Sequence, residues 1–113
     1  MDSYIKLADD ACENGDLDAV LYLINENVFP SQNGIDLATE NGFISILQHL
    51  AQYNLYPSVH GANMAAYAGN ADMLNFLALY NPPILPDNNG IELVEQNGND
   101  DLLALLMSNS RLR

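Results

Sequence analysis

The chain has almost no positive charge. Of its 113 residues, 15 are acidic and 3 basic, and the basic ones, Lys6, Arg111 and Arg113, stand at the ends. From Leu7 to Ser110 there is no Lys or Arg. Nucleic acid held through its phosphates needs a cationic stripe, and none can be assembled here. The same shortage argues against docking on an anionic membrane surface. The single cysteine, Cys12, excludes an internal disulfide framework and a cysteine zinc site. It agrees with a reducing compartment, so a cytosolic location, in a bacterium or a host cell, is expected. No apolar run approaches the roughly 20 residues needed to cross a bilayer. No charged stretch followed by an apolar one marks a secretory signal.

What is present is a core-forming composition and a repeat. Hydrophobic residues make up 49% of the chain, enough to build one folded domain rather than a disordered tail. Three phrases recur: "NVFPSQNG", "NLYPSVHG" and "PILPDNNG". Gly15, Gly42, Gly69 and Gly98 are spaced by 27, 27 and 29 residues. Gly34, Gly61 and Gly90 keep the spacings 27 and 29, as do Pro30, Pro57 and Pro86. One two-residue insertion beside "NPP" at Asn81 to Pro83 accounts for every shifted spacing. Repeats at such periods signal a stack of equivalent units, here at about 4–30, 31–57, 58–86 and 87–113.

Each unit reads as two short helices. The first carries small or aliphatic residues such as Ile35, Leu37 and Ala38, or Ala62, Met64 and Ala65. It ends on a glycine suited to a left-handed turn. Asp16, Asn70 and Asn99 follow and can cap the next helix; Phe43 stands in that slot in the second unit, where the cap is expected to be missing. The second helix repeats an apolar stripe at helical spacing: Val20 and Leu23, Leu47 and Leu50, Leu74 and Leu77, Leu103 and Leu106. Proline fixes the exit and pushes the preceding residue into extended geometry. The recurring phrase is therefore the joint between units.

The segments "NGDLDAVLYL", "NGFISILQHL", "AGNADMLNFL" and "NGNDDLLALL" resemble the second helix of ankyrin repeats, and "GIDLAT", "GANMAA" and "GIELVE" resemble the first. The likeness covers nearly the whole chain as four units and implies an all-α solenoid. Ankyrin units run to about 33 residues, whereas these have 27 or 29. The missing residues lie where ankyrin repeats project a β-hairpin, so short loops and little or no strand are expected. The usual Thr-Pro-Leu-His start is absent. Short divergent units of this kind occur in proteins of viruses and host-associated bacteria, which gives the resemblance a host–pathogen association.

No pattern for catalysis emerges. His49 aligns with Tyr22, Phe76 and Leu105, which reads as a partly buried or interfacial side chain; His60 lies in a connector, as a turn or cap residue. Cys12 aligns with Thr39, Ala66 and Glu95 and is expected to pack as a small apolar residue. There is no metalloprotease, phosphate-loop or nucleophile-elbow motif, and no ordered calcium loop. No enzymatic activity, cofactor or metal is expected.

Binding is the favoured class. The first helices place Asp9 and Glu13, Asp36 and Glu40, Asn63 and Tyr67, and Glu92 and Gln96 four residues apart, on one face of each helix. Stacking would line them into a ridge for a basic patch on another protein, with Tyr67 as aromatic anchor. The resemblance implies that this face is the binding side. Tyr22, Tyr53 and Tyr80 are expected to pack. The last unit is apolar nearly all round at "LLALLM", so Leu102, Leu105 and Met107 are candidate dimer contacts unless the tail "SNSRLR" covers them. With no second domain in the sequence to recruit for, a small acidic regulator or inhibitor that occludes a basic or catalytic surface is the leading reading. The alternatives are an acidic decoy that imitates nucleic acid, or an assembly subunit working through the last unit.

Overall fold

The computed structural model describes residues 2–111, with side chains from Ser3 to Met107. It is all-α, with eight helices among the described residues: α1 (Asp2–Asn14), α2 (Leu17–Asn25), α3 (Gln32–Glu40), α4 (Ile44–Ala51), α5 (Val59–Tyr67), α6 (Ala71–Leu77), α7 (Asn88–Gln96) and α8 (Asp100–Arg111). No strand occurs among the described residues. None of the helices is long and apolar enough to cross a membrane. The helices pair as α1–α2, α3–α4, α5–α6 and α7–α8, and the pairs follow one another in a repeat-like arrangement. The molecule measures 42 × 26 × 19 Å, long in one direction as side-by-side pairing requires.

The turn inside each pair is set by its glycine. Gly15, Gly42, Gly69 and Gly98 take φ values of 75°, 83°, 76° and 71°, a region that other L-residues enter at a cost. The residue after each glycine folds its amide back onto the preceding helix, as in Asp16 N to Ala11 O (2.9 Å) and Phe43 N to Ala38 O (3.0 Å), closing a Schellman turn. That same residue starts the second helix. Asp16 accepts from Ala19 N, Asn70 from Met73 N and Asn99 from Leu102 N, while Phe43 makes no side-chain cap. Its ring instead lies against Gly15, where an added Cβ would stand 2.7 Å from it. Asn27 and Asn54, at the exits of the second helices, also have positive φ, 63° and 61°, a conformation asparagine tolerates better than most residues.

Packing differs on the two sides of the molecule. The first helices α1, α3, α5 and α7 form a closely packed row; the second helices touch their neighbours far less. Close approach follows from residue size: Ala8, Ala11 and Cys12 on α1, Gly34 and Ala38 on α3, and Gly61, Ala62, Ala65 and Ala66 on α5 are all buried. The second helices bring the bulk, with Ile46, Leu47, Leu50, Met73, Leu74 and Leu77 sealed against the row. Val20 and Leu106 occupy the equivalent inward slots at the two ends. Leu23 and Leu103, also in the stripe, remain half-buried.

Candidate functional site

The eight paired positions of the first helices divide into two kinds. In the first three pairs the first member is a joint. Asp9 Oδ1 accepts from Ser31 N at 2.7 Å and its Oδ2 from Ser31 Oγ at 2.6 Å. Asp36 repeats this with Ser58, at 3.0 and 2.6 Å. Gln32 Nε2 adds a bond to Asp36 Oδ1 at 3.1 Å and one to Tyr56 O at 2.9 Å. At the third joint the chemistry reverses: Asn63 Oδ1 still accepts a backbone amide, that of Asp87 (3.0 Å), but Asn63 Nδ2 donates to Asp87 Oδ1 (2.9 Å). Asp36 is only 4% exposed, and Asp9 and Asn63 are half-buried. These three do not form the solvent-facing ridge expected of the pairs, because the next connector occupies their polar atoms. Glu92, in the same slot of the last pair, is exposed.

The joints explain the second set of glycines. Gly34, Gly61 and Gly90 sit in helices, and their need for glycine is steric. A Cβ on Gly61 would lie 2.6 Å from Asp36 Oδ1; Asp9 and Asn63 crowd Gly34 and Gly90 in the same way. Ser and Gly in the first two phrases, and Asp and Gly in the third, therefore face one side chain of the preceding unit. Asn63 holds the Asp87 carboxyl below the usual carboxylate range, against desolvation as the next largest effect and with smaller help from the amides of Gly90, Asn89 and Asp87.

The second member of each pair faces outward. Glu13, Tyr67 and Gln96 are exposed, Tyr67 by 56%, and Glu40 is half-buried. Asn41 Nδ2 bonds Glu13 O (3.0 Å), and Asn97 Nδ2 bonds Tyr67 O (3.3 Å), pinning the backbone beside these side chains. Two grooves run between the first helices. One, about 350 Å³, lies between α1 and α3 and is bordered by Lys6, Asp10, Glu13 and Leu37. The other, about 490 Å³, is bordered by Glu40, His60, Met64, Tyr67, Asn89 and Leu93. Leu37, Met64 and Leu93 are half-buried groove walls, although the sequence pattern assigns them to the packed side. The signal that could have found them is their slot, one residue after Asp36, Asn63 and Glu92.

Elsewhere several expectations change. Leu102 is 3% exposed and takes the inward slot of Ile46 and Met73, so it is core and not a dimer contact. Leu105 is half-buried against the core. Met107 is 48% exposed and borders a groove with Val59, Leu85, Pro86 and Ile91. Of the tail "SNSRLR", Leu112 and Arg113 lie outside the described residues, so its covering role does too. The outer side of the last first-helix is polar: Glu95 and Glu92 are exposed where earlier units bury Cys12, Thr39 or Ala66 and engage the joint residue. Tyr22 is 66% exposed and does not pack. Tyr53 is exposed too, with its ring edge-on to Phe29 at 5.6 Å. Tyr80 is half-buried between Phe76 and Tyr56.

The nucleophile and base candidates, Cys12, His49 and His60, differ in exposure. Cys12 is fully buried, and burial, with the nearby Asp9 carboxylate, pushes its thiol up to about 12, which keeps it protonated and unreactive at neutral pH. His49 is half-buried with Nδ1 2.8 Å from Ser45 O. His60 lies in the first turn of α5, not in a connector, and is exposed. Among the described residues no group of three or more His, Cys, Asp or Glu side chains converges as a metal site would. Compared with models of known protein families, with curated proteins and with solved structures, the chain matches none.

Proposed function

We propose that the chain is a short ankyrin-like solenoid of four helix pairs that binds another protein through the outward face of its first helices. It acts as a small acidic regulator or inhibitor, covering a basic surface of its partner, with no active site and no cofactor. The tightly packed row beside a loosely packed one supports the solenoid, because closer spacing on one side curves a stack toward that side. The observation that carries the binding reading is the α5–α7 groove. There, an exposed tyrosine, two apolar walls and the Glu40 carboxylate line one groove. Tyrosine is over-represented among side chains that dominate binding energy, and a net charge of −12 speeds encounter with a cationic partner.

The test is affinity capture with the immobilised protein and with a Glu13→Gln, Glu40→Gln, Tyr67→Ala triple variant, each at low and raised salt. Wild type is expected to retain basic proteins at low salt and release them as salt is raised. The variant, with unchanged helicity and melting, is expected to retain none. Equal retention by the two would overturn the assignment of this face.

A further inference from the structure

The two grooves on the first-helix face occupy equivalent places in the repeat, and only one of them contains a lysine. In the α1–α3 groove, the slot nine residues before the turn glycine holds Lys6, whose Nζ lies 3.3 Å from Asp10 Oδ1. The same slot in the α5–α7 groove holds His60. Asp10 is replaced there by Met64, and Glu13 by Tyr67, while Glu40 stands at the rim from α3. Asn63 is not available to a ligand, since both ends of its amide are bound to Asp87. What remains is the Glu40 carboxylate, the exposed Tyr67 ring, two apolar walls, Met64 and Leu93, and the polar rim residues His60 and Asn89, in about 490 Å³. That volume falls in the range of roughly 300–1,000 Å³ that encloses small ligands and short peptide segments.

We infer that this groove receives an arginine of the partner protein, flanked by an aliphatic residue. The inference rests on the reading that this face binds a basic partner, and it names the side chain. A guanidinium is planar and weakly hydrated, so it stacks on a tyrosine ring while its N–H groups reach a carboxylate. A lysine ammonium is a compact, strongly hydrated point charge and exploits the ring less. Tyr67 supplies the ring, Glu40 the carboxylate, and Met64 with Leu93 the seat for the neighbouring aliphatic side chain. In the α1–α3 groove Lys6 already lies beside the acid and no ring is present, so an external arginine has no equivalent site there.

The experiment is an amide-resolved NMR titration of the full chain with three probes: acetyl-Leu-Arg-Leu-amide, its lysine analogue, and its citrulline analogue, which keeps the shape of arginine without the charge. The arginine peptide is expected to move the amides of Glu40, Met64, Tyr67 and Leu93 saturably. The lysine peptide is expected to bind about three-fold or more weakly and the citrulline peptide about ten-fold or more weakly. Glu40→Gln and Tyr67→Leu should each weaken the arginine peptide about five-fold or more, and Asp18→Asn, on α2, should not. Equal binding of the arginine and citrulline peptides, shifts confined to the α1–α3 groove, or unchanged binding in both groove variants overturns the inference. Equal binding of arginine and lysine peptides at this groove removes the arginine assignment and leaves the basic-partner reading standing. Absence of binding by either basic peptide anywhere on the face removes both.

Discussion

Asp9 and Asp36 each hold a serine by two bonds, and Asn63 holds an aspartate by two. One constraint is common to all three joints: an oxygen must accept the amide of the N-cap residue of the next first helix. The second bond can run either way, provided one partner donates. This is why the third joint exchanges Asp–Ser for Asn–Asp and never pairs two carboxylates. Asp36→Ala leaves the Ser58 amide and hydroxyl without their buried acceptor, and should lower stability by about 2–3 kcal/mol in urea melts. Asn63→Asp should lower the melting temperature by setting a carboxylate against Asp87; adding Asp87→Ser rebuilds the ring of the first two joints and should restore most of the loss. Asp87 also carries a pH signature. Its folded-state value lies below the ordinary 3.8, so its contribution is complete above that value and disappears as pH falls through the lower folded one. Acid titration of wild type should therefore show a stability loss in that window that is smaller in Asp87→Ser.

At the scale of the element, two glycines of the repeat answer to different physics. Gly98 is held at positive φ with nothing within 4 Å of an added Cβ, whereas Gly61 has helical geometry and a neighbour at 2.6 Å. Alanine is the better helix former by about 1 kcal/mol, so helix propensity alone predicts that Gly61→Ala stabilises α5. The Asp36 carboxylate in that space decides the opposite sign: the variant should lose about 1–3 kcal/mol, read by thermal melting. A similar contest governs α8. Leu102→Asp places a charge in a core slot and should unfold the last pair, with loss of helical signal rather than a clean change in oligomeric state. These cases mark what was legible beforehand. The Schellman glycines, the caps at Asp16, Asn70 and Asn99, the missing cap at Phe43 and the inward leucines follow from neighbours within one or two turns, and the linear pattern carries them. The Asp9–Ser31, Asp36–Ser58 and Asn63–Asp87 joints span 22 to 24 residues. Along the chain their aspartates look the same as Glu13 or Glu40. Only the register of one pair on the next separates a buried acceptor from a free carboxylate, which is why three of the eight expected ridge positions are scaffold and the linear pattern assigns the groove walls at Met64 and Leu93 to the core.

For the whole molecule the decisive quantity is net charge. Fifteen acids and three bases leave −12, and the ion pair found among the described residues, Lys6–Asp10, is exposed and spans one helical turn, a type worth only a few tenths of a kcal/mol. Carboxylates at Glu13, Asp18, Glu92, Glu95, Asp100 and Asp101 are exposed, so their mutual repulsion is carried through solvent and is open to screening. A fold held by surface ion pairs weakens as salt is added; this one should strengthen. The Debye length shrinks from about 30 Å at 0.01 M to about 3 Å at 1 M, removing repulsion that burdens the compact state more than the unfolded chain. The expected gain is on the order of 1 kcal/mol, or roughly 4 °C in melting temperature for a domain of this size, with sodium chloride and potassium chloride giving the same curve because the effect is ionic strength and not a bound ion. Affinity for a cationic partner must move the other way over the same range, since the field that strains the free molecule is the one that draws the partner in. Measuring both on one protein separates them: melting that falls with salt would show that attraction, not repulsion, dominates the folded charge distribution, and the electrostatic account of docking would fall with it.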